Sequence, residues 1–254
     1  MVQFKEAIAL PFKDFKKLTL GALFFSISSA ASALSGYTQD SLQAMAIQIG
    51  LTFIGVFISL IGSGYALVTA RSAMKHRFAL PEFEHLFDLF LKGLLSAIIS
   101  FIYALPALLV IFITFIIVIF SSVNSGSHLP FLAGIPGFAV GFILLLLIIY
   151  ISPAAIFGYI ENNNFTQAFD LRTVFRKSFT GQWLAATLVS ILYSFVLFVV
   201  VGALGVLFQF IPFPLTLLLT AVLTSYVSMI VTLTYYTMLA DVYKTNISTK
   251  PSKK

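Results

Sequence analysis

The stretch EFEHLFDLFLKGLLSAIISFIYALPALLVIFITFIIVIF, residues 82–120, changes character part-way along. Up to Lys92, the polar residues Glu82, Glu84, His85 and Asp88 alternate with apolar ones. From Gly93 onward no charged residue occurs. The second part exceeds the roughly 20 apolar residues that a bilayer-spanning helix requires. The first part reads at helical spacing: Phe83, Leu86, Phe87, Phe90, Leu91 and Leu94 form one stripe, and Asp88 and Lys92 are spaced for an i,i+4 ion pair. Pro81 suits the first position of such a helix. The expectation is a short amphipathic helix in the membrane interface, feeding a span.

The rest of the chain follows the second pattern. Hydrophobic residues make up 59% of the 254 and charged ones 9%, far below the roughly 25% of a soluble domain. The bilayer is the solvent that fits, and long apolar runs rather than short alternating strands point to helices. Six windows qualify as spans, near 18–36, 44–70, 94–121, 130–159, 182–208 and 212–240. The first is the poorest, because SISSAASALS is rich in Ser and Ala. The last two are separated by QFIPFP, where Pro212 and Pro214 impose a tight turn.

Charge orients these windows. All 15 basic residues fall on one side of a six-span arrangement. Lys5, Lys13, Lys16 and Lys17 precede the first span, and Arg71, Lys75, Arg77 and Lys92 lie between the second and third. Arg172, Arg176 and Lys177 lie between the fourth and fifth, and Lys244, Lys250, Lys253 and Lys254 follow the sixth. Lys and Arg accumulate in cytoplasmic segments, so both termini are expected in the cytoplasm. The basic start, with Ala31, Ser32 and Ala33 after an apolar stretch, imitates a cleaved signal peptide. Against cleavage, the preceding segment is long and contains Glu6 and Asp14; the remaining spans keep their orientation under either reading.

The opening phrase is echoed. Phe83, Phe87, Asp88 and Leu89 recur as Phe165, Phe169, Asp170 and Leu171, and Ala168, Leu171, Val174, Phe175, Ser178 and Phe179 form a second stripe against Thr166, Gln167, Asp170, Thr173 and Lys177. FKEAIALPFKDFKKL offers a looser third copy, with Phe4, Ile8, Phe12, Phe15 and Leu18 on one side and a break expected at Pro11. The expected fold is therefore all-α and polytopic: six transmembrane helices in three hairpins, each preceded by a cytoplasmic-side amphipathic helix. Residues 1–243 would form one domain and 244–254 a basic tail.

Four stretches carry a resemblance: LPFKDFKKLTLGALFF at 10–25, GYALVTAR at 64–71, LPEFEHLFDLFLKGLLSAIISFIYALPALLV at 80–110 and SPAAIFGYIENNNFTQAFDL at 152–171. Together they resemble an uncharacterised family of archaeal and bacterial multi-pass membrane proteins, domain of unknown function number 4013. The resemblance extends to about residue 200 and implies the plasma membrane of a prokaryote. It brings no reaction, substrate or site residue.

Chemistry is sparse. The absence of cysteine removes disulfides, thiolate metal sites and thiol nucleophiles. The six windows hold no ionisable group in their interiors, which argues against ion coupling or proton relay. Their hydroxyls, such as Ser59 and Thr69, read as helix-packing groups, and Pro106 and Pro153 are the candidate helix breaks. Gly137 and Gly141 form a GxxxG expected to pack within the chain. His85, near Glu82, Glu84 and Asp88, has acid–base or metal-ligand chemistry but reads as part of a solvated face, and His76 and His128 have no ligand pattern. No catalytic, cofactor or metal residue is assigned. The sequons at Asn164 and Asn246 fall on the cytoplasmic side and read as accidental.

The surface expected to act is the basic one: Lys13, Lys16, Lys17, Arg71, Lys75, Arg77, Lys92, Arg172, Arg176 and Lys177, facing anionic inner-leaflet lipid or a membrane or cytoplasmic protein partner. Nucleic acid is a poor fit, because no soluble module gathers basic and aromatic residues. The leading expectation is a non-enzymatic scaffold or accessory subunit. The alternatives are a small permease for a neutral or apolar solute and, third, a membrane-bound lipid enzyme.

Overall fold

The computed structural model describes residues 3–35, 42–125, 129–212 and 214–248. Among these residues the regular structure is entirely helical: α1 (Phe4–Ala9), a 3₁₀ turn (Leu10–Phe12), α2 (Phe15–Ser35), α3 (Leu42–Ala73), α4 (Leu86–Ser125), α5 (Leu129–Asn162), a second 3₁₀ turn (Phe165–Phe169), α6 (Leu171–Ser178), α7 (Gly181–Phe208) and α8 (Leu215–Ser248). Five helices, α3, α4, α5, α7 and α8, are long and apolar enough to cross a membrane, which makes this a multi-pass protein. The first expected window corresponds to α2, whose 21 residues are not among those five. It is nonetheless built into the core: Leu18 and Ala22 are buried, and Gly21 faces Met229 of α8.

The helices pack α2 on α3 and α8, α3 on α4 and α8, α4 on α5, and α7 on α8. Burial is concentrated at one end, where residues 65–74 of α3, 151–160 of α5 and 229–243 of α8 converge with the N-terminus of α7. This is also the end that carries the charged residues. At the distal end Phe53, Phe112, Phe120, Phe142 and Phe195 all face outward. Lipid tolerates that exposure. Irregular backbone is different, because its polar groups must be satisfied inside the protein.

Three aromatic side chains do this at the charged end. Tyr65 donates to the carbonyl of Pro81 at 2.9 Å, Tyr103 to that of Ala168 at 2.6 Å and Tyr150 to that of Ser178 at 2.7 Å. The irregular segments 74–85 and 163–170 are thereby pinned against the helices. Schellman turns close α3 and α5: Arg77 N–H reaches Ser72 O and Asn164 N–H reaches Tyr159 O, with His76 and Asn163 in the left-handed region.

Several expectations need correction. The opening phrase is not a separate interfacial helix. Residues 77–85 are non-helical, Pro81 starts no helix, and α4 runs continuously from Leu86 into the span. The physical reason is a better use for Phe83, which stacks on Tyr65 with ring centroids 3.8 Å apart. The Asp88–Lys92 pair does form. The break at Pro11 is present, as the 3₁₀ turn between α1 and α2. Neither Pro106 nor Pro153 breaks its helix. Each removes only one backbone donor, a loss that spanning helices absorb locally. α8 continues through Lys244 to Ser248, so the expected tail begins inside a helix; 249–254 lie outside the described residues, as does His128.

The closest helix approach is α3 on α4. A Cβ built on Gly64 would overlap the backbone carbonyl of Leu89, and one on Gly93 would overlap that of Leu60. Gly137 and Gly141 face Thr114 and Ile111 of α4, so this GxxxG does pack within the chain. Gly64→Ala or Gly93→Ala sets a methyl against immovable backbone and is expected to destabilise by about 3 kcal/mol or more. Gly202→Ala, with nothing within 4 Å of its Cβ, is expected to gain up to about 1 kcal/mol of helix propensity. Thermal unfolding in detergent checks both, and equal behaviour of the two kinds of variant would refute the close crossing.

Candidate functional site

The charged end divides its cations into three groups. The first is neutralised within the chain. Lys13 pairs with Glu6 at 2.9 Å, Lys17 with Glu82 at 2.7 Å and Lys92 with Asp88. Lys17 also donates to the carbonyl of Leu80 at 3.0 Å, tying the start of α2 to the 74–85 segment. The hydrogen bond that Lys17 donates to Glu82 holds its ammonium above the usual range.

The second group is wholly or partly buried. Arg71 is partly enclosed and donates to Asn163 Oδ1 at 3.2 Å, while its Nε finds no acceptor among the described residues. Lys177 was expected on the polar face of its helix. It belongs to the buried face instead, beside Val174 and Ser178, whereas Leu171, Phe175 and Phe179 point outward. The stripe is therefore turned by part of a revolution from the expected one. The cause is that Asp170 caps α6 by accepting from Thr173 N–H, and Tyr150 holds the Ser178 carbonyl; together these set the helix's rotation. Lys177 Nζ sits 3.3 Å from the centre of the Tyr243 ring and 3.8 Å from Glu161, which also receives Lys244 at 2.6 Å. One carboxylate from α5 thus joins α6 to α8. Burial lowers the Lys177 amine to about 8, against the pull of Glu161.

The third group is exposed and has no carboxylate within ion-pair distance among the described residues: Lys5, Lys16, Lys75, Arg77, Arg172 and Arg176. Exposed apolar rings and side chains accompany them, including Phe12, Phe15, Phe87, Phe175 and Phe179.

One acidic residue escaped the sequence reading. Asp241 lies one position past the last expected window, yet inside the apolar helix Leu215–Thr245, and it is 1% exposed. Its Oδ2 accepts from the backbone N–H of Gln3 at 2.9 Å. His76 Nδ1 stands 3.4 Å from Oδ1, within ion-pair range but outside hydrogen-bond geometry. A weak signal existed, since a lone Asp inside a long apolar run is rare enough to notice.

His85 joins none of these groups. It is exposed, in the left-handed region just ahead of α4. No group of three or more His, Cys, Asp or Glu side chains suited to a metal occurs among the described residues. Ser59 and Thr69 bond back to carbonyls of their own helix, Val56 and Tyr65, as packing groups do.

The burial of Lys177 has a pH signature. Between about 8 and the ordinary lysine value of 10.5 the unfolded chain binds more protons than the folded one, so stability rises with pH across that window and levels off below it. Thermal midpoints of the wild type are expected to climb over this range relative to Lys177→Met, whose apolar side chain fills the same slot. A constant difference between the two would mean the amine is not desolvated.

A family model described as "Protein of unknown function (DUF4013)" matches residues 47–207. The chain belongs to this family. The match begins after α2, so the resembling stretch at 10–25 falls outside it. Neither a curated protein nor a solved structure matches the chain.

Proposed function

We propose that this member of the DUF4013 family is a non-enzymatic membrane scaffold whose charged end engages anionic lipid headgroups. The observation that carries the reading is the set of six exposed cations without carboxylate partners among the described residues, Lys5, Lys16, Lys75, Arg77, Arg172 and Arg176, all at one end of an apolar bundle. Each basic residue near an anionic surface contributes about 1 kcal/mol. The exposed Leu171, Phe175 and Phe179 of α6 support the same reading, since they suit the acyl boundary beside those cations.

In this proposal α2 is the sixth span, and the pairs α2–α3, α4–α5 and α7–α8 are hairpins with both termini on the cytoplasmic side of a prokaryotic plasma membrane. Positive residues collect on that side. α6 and, less regularly, α1 are the amphipathic interfacial elements. Residues 86–92 serve as the foot of α4, and 82–85 lead into it.

Lipid retained by the purified protein from a mixed anionic and zwitterionic membrane tests the reading. Replacing Lys75, Arg77, Arg172 and Arg176 with Gln is expected to reduce anionic enrichment at least about tenfold, a conservative share of the roughly fivefold expected per residue. Unchanged enrichment would sink it. Recovery of a stoichiometric protein in place of lipid would reassign the face to a protein partner.

Orientation has its own test, made clean by the lack of cysteine. Gln209→Cys is expected to react with an impermeant thiol reagent from outside the cell, and Glu84→Cys only after permeabilisation. Both positions are exposed. Ser178, by contrast, is buried and would be silent from either side.

A further inference from the structure

A recess of about 600 Å³ opens at the charged end, between the start of α2 and the non-helical 82–84 segment. Small-molecule sites span roughly 300–1,000 Å³. Its charged lining is Asp14, Lys16, Lys17, Glu82 and Glu84. The walls are fixed in advance. Tyr65 donates to the carbonyl of Pro81 and stacks on Phe83, while Lys17 holds Leu80 O, Glu82 and, at 3.6 Å, Asp14. A recess built this way needs little ordering when a ligand enters. The charges within it do not cancel. Three carboxylates face two ammonium groups, and Lys17 is already committed to Glu82 and Asp14. Lys16 and Glu84 remain, both exposed and neither ion-paired among the described residues. One occupant would therefore meet an unpaired cation and an unpaired anion together. The recess also has an apolar side. Lys16, Leu20 and Leu23 follow one face of α2 at i, i+4 and i+7, and Leu20 lines the recess. Leu20 is 40% exposed and Leu23 56%, so the charged lining runs straight into an apolar helix face.

We propose that this recess binds the headgroup of a lipid carrying a primary ammonium and a phosphate, of the ethanolamine-phosphate kind. Glu84 takes the ammonium, Lys16 takes the phosphate, and an acyl chain runs along Leu20 and Leu23. A primary ammonium donates the charge-assisted hydrogen bonds that a carboxylate accepts, whereas a choline nitrogen carries the same charge and no hydrogen. An anionic lipid would satisfy Lys16 and leave Glu84 unpaired, beside a lining that already holds more carboxylates than cations. A metal ion fits poorly, because the acidic residues here form no group of three suited to one among the described residues. The inference rests on the charged end lying at headgroup level in the membrane. It asks nothing of Lys75, Arg77, Arg172 and Arg176, on which the anionic reading is tested.

The full chain is placed in discs of equal parts choline- and ethanolamine-headgroup lipid, with matched acyl chains and no anionic lipid. It is then released into mild detergent, and the lipid it retains is identified by native mass spectrometry. The expected result is one ethanolamine lipid per chain, enriched about tenfold over the choline lipid, which is the worth of one hydrogen bond to a charged group. Glu84→Gln keeps the shape and should bring the ratio close to one. Lys16→Gln should lower retention of the ethanolamine lipid about tenfold through the phosphate contact. Both residues are exposed and unpaired among the described residues, so these variants spare the fold, whereas Glu82→Gln would cut the tie to Lys17. Equal retention of the two headgroups by the wild type would overturn the site. So would an undiminished ratio in Glu84→Gln. Soluble glycerophosphoethanolamine separates the two sources of the same chemistry: displacement of the lipid by an equimolar amount would overturn a lipid as the ligand. Because no anionic lipid is present, failure here and failure of the anionic reading appear in different experiments.

Discussion

The charged end is positioned by the backbone crossing of α3 on α4. Gly64 and Gly93 let the two helices meet carbonyl to Cα, and no side chain larger than hydrogen fits between them. From that contact the register of both helices follows. Tyr65, next to Gly64, is set under Pro81 and Phe83; Arg71, two turns on, meets Asn163; and the closing turn of α3 delivers His76 to Asp241. Tyr103 lies about three turns beyond Gly93 on α4 and reaches Ala168. A membrane supplies no hydrophobic drive between such helices, so close packing and hydrogen bonds to irregular backbone must supply it.

That constraint explains how the protein divides along its length. At the distal end the helices carry apolar side chains outward and need only lipid. At the charged end two non-helical segments return to the bundle, and each brings carbonyls that require donors. Tyrosine suits this task because its ring packs like a core residue while its hydroxyl reaches one acceptor. Trp183 adds a donor of the same kind, from Nε1 to the carbonyl of Tyr150 at 3.2 Å. The core is therefore aromatic and polar-tipped where the backbone is irregular. It depends on small residues, Ala154, Ala155, Ala186 and Ala240 among them, where helices pass closely.

Hydropathy and length made the spanning helices legible, because those signals sum over twenty or more residues. Pro11 and the Asp88–Lys92 pair were legible as well, since each is a local effect. What escaped depends on tertiary competition. Phe83 has the right spacing for a helical stripe, yet stacking on Tyr65 draws it into an extended segment, and nothing within five residues of it encodes Tyr65. Lys177 carries a charge that assigns it to the solvated face of α6. The cap at Asp170 and the Tyr150 contact rotate that face inward, where Glu161 and Tyr243 receive it. Asp241 was missed for a simpler reason: a window drawn to exclude charge stops where charge begins, whereas the helix continues to Ser248.

Asp241 also ties two segments of this end to one element. Its Oδ2 holds the N–H of Gln3, the residue that leads into α1 and hence to Lys5, Lys13, Lys16 and Lys17. Its Oδ1 faces the turn that carries Lys75, His76 and Arg77. One buried carboxylate on α8 therefore holds both the N-terminal arm and the closing turn of α3, so the cations that the two segments carry are fixed relative to one another and to the bundle.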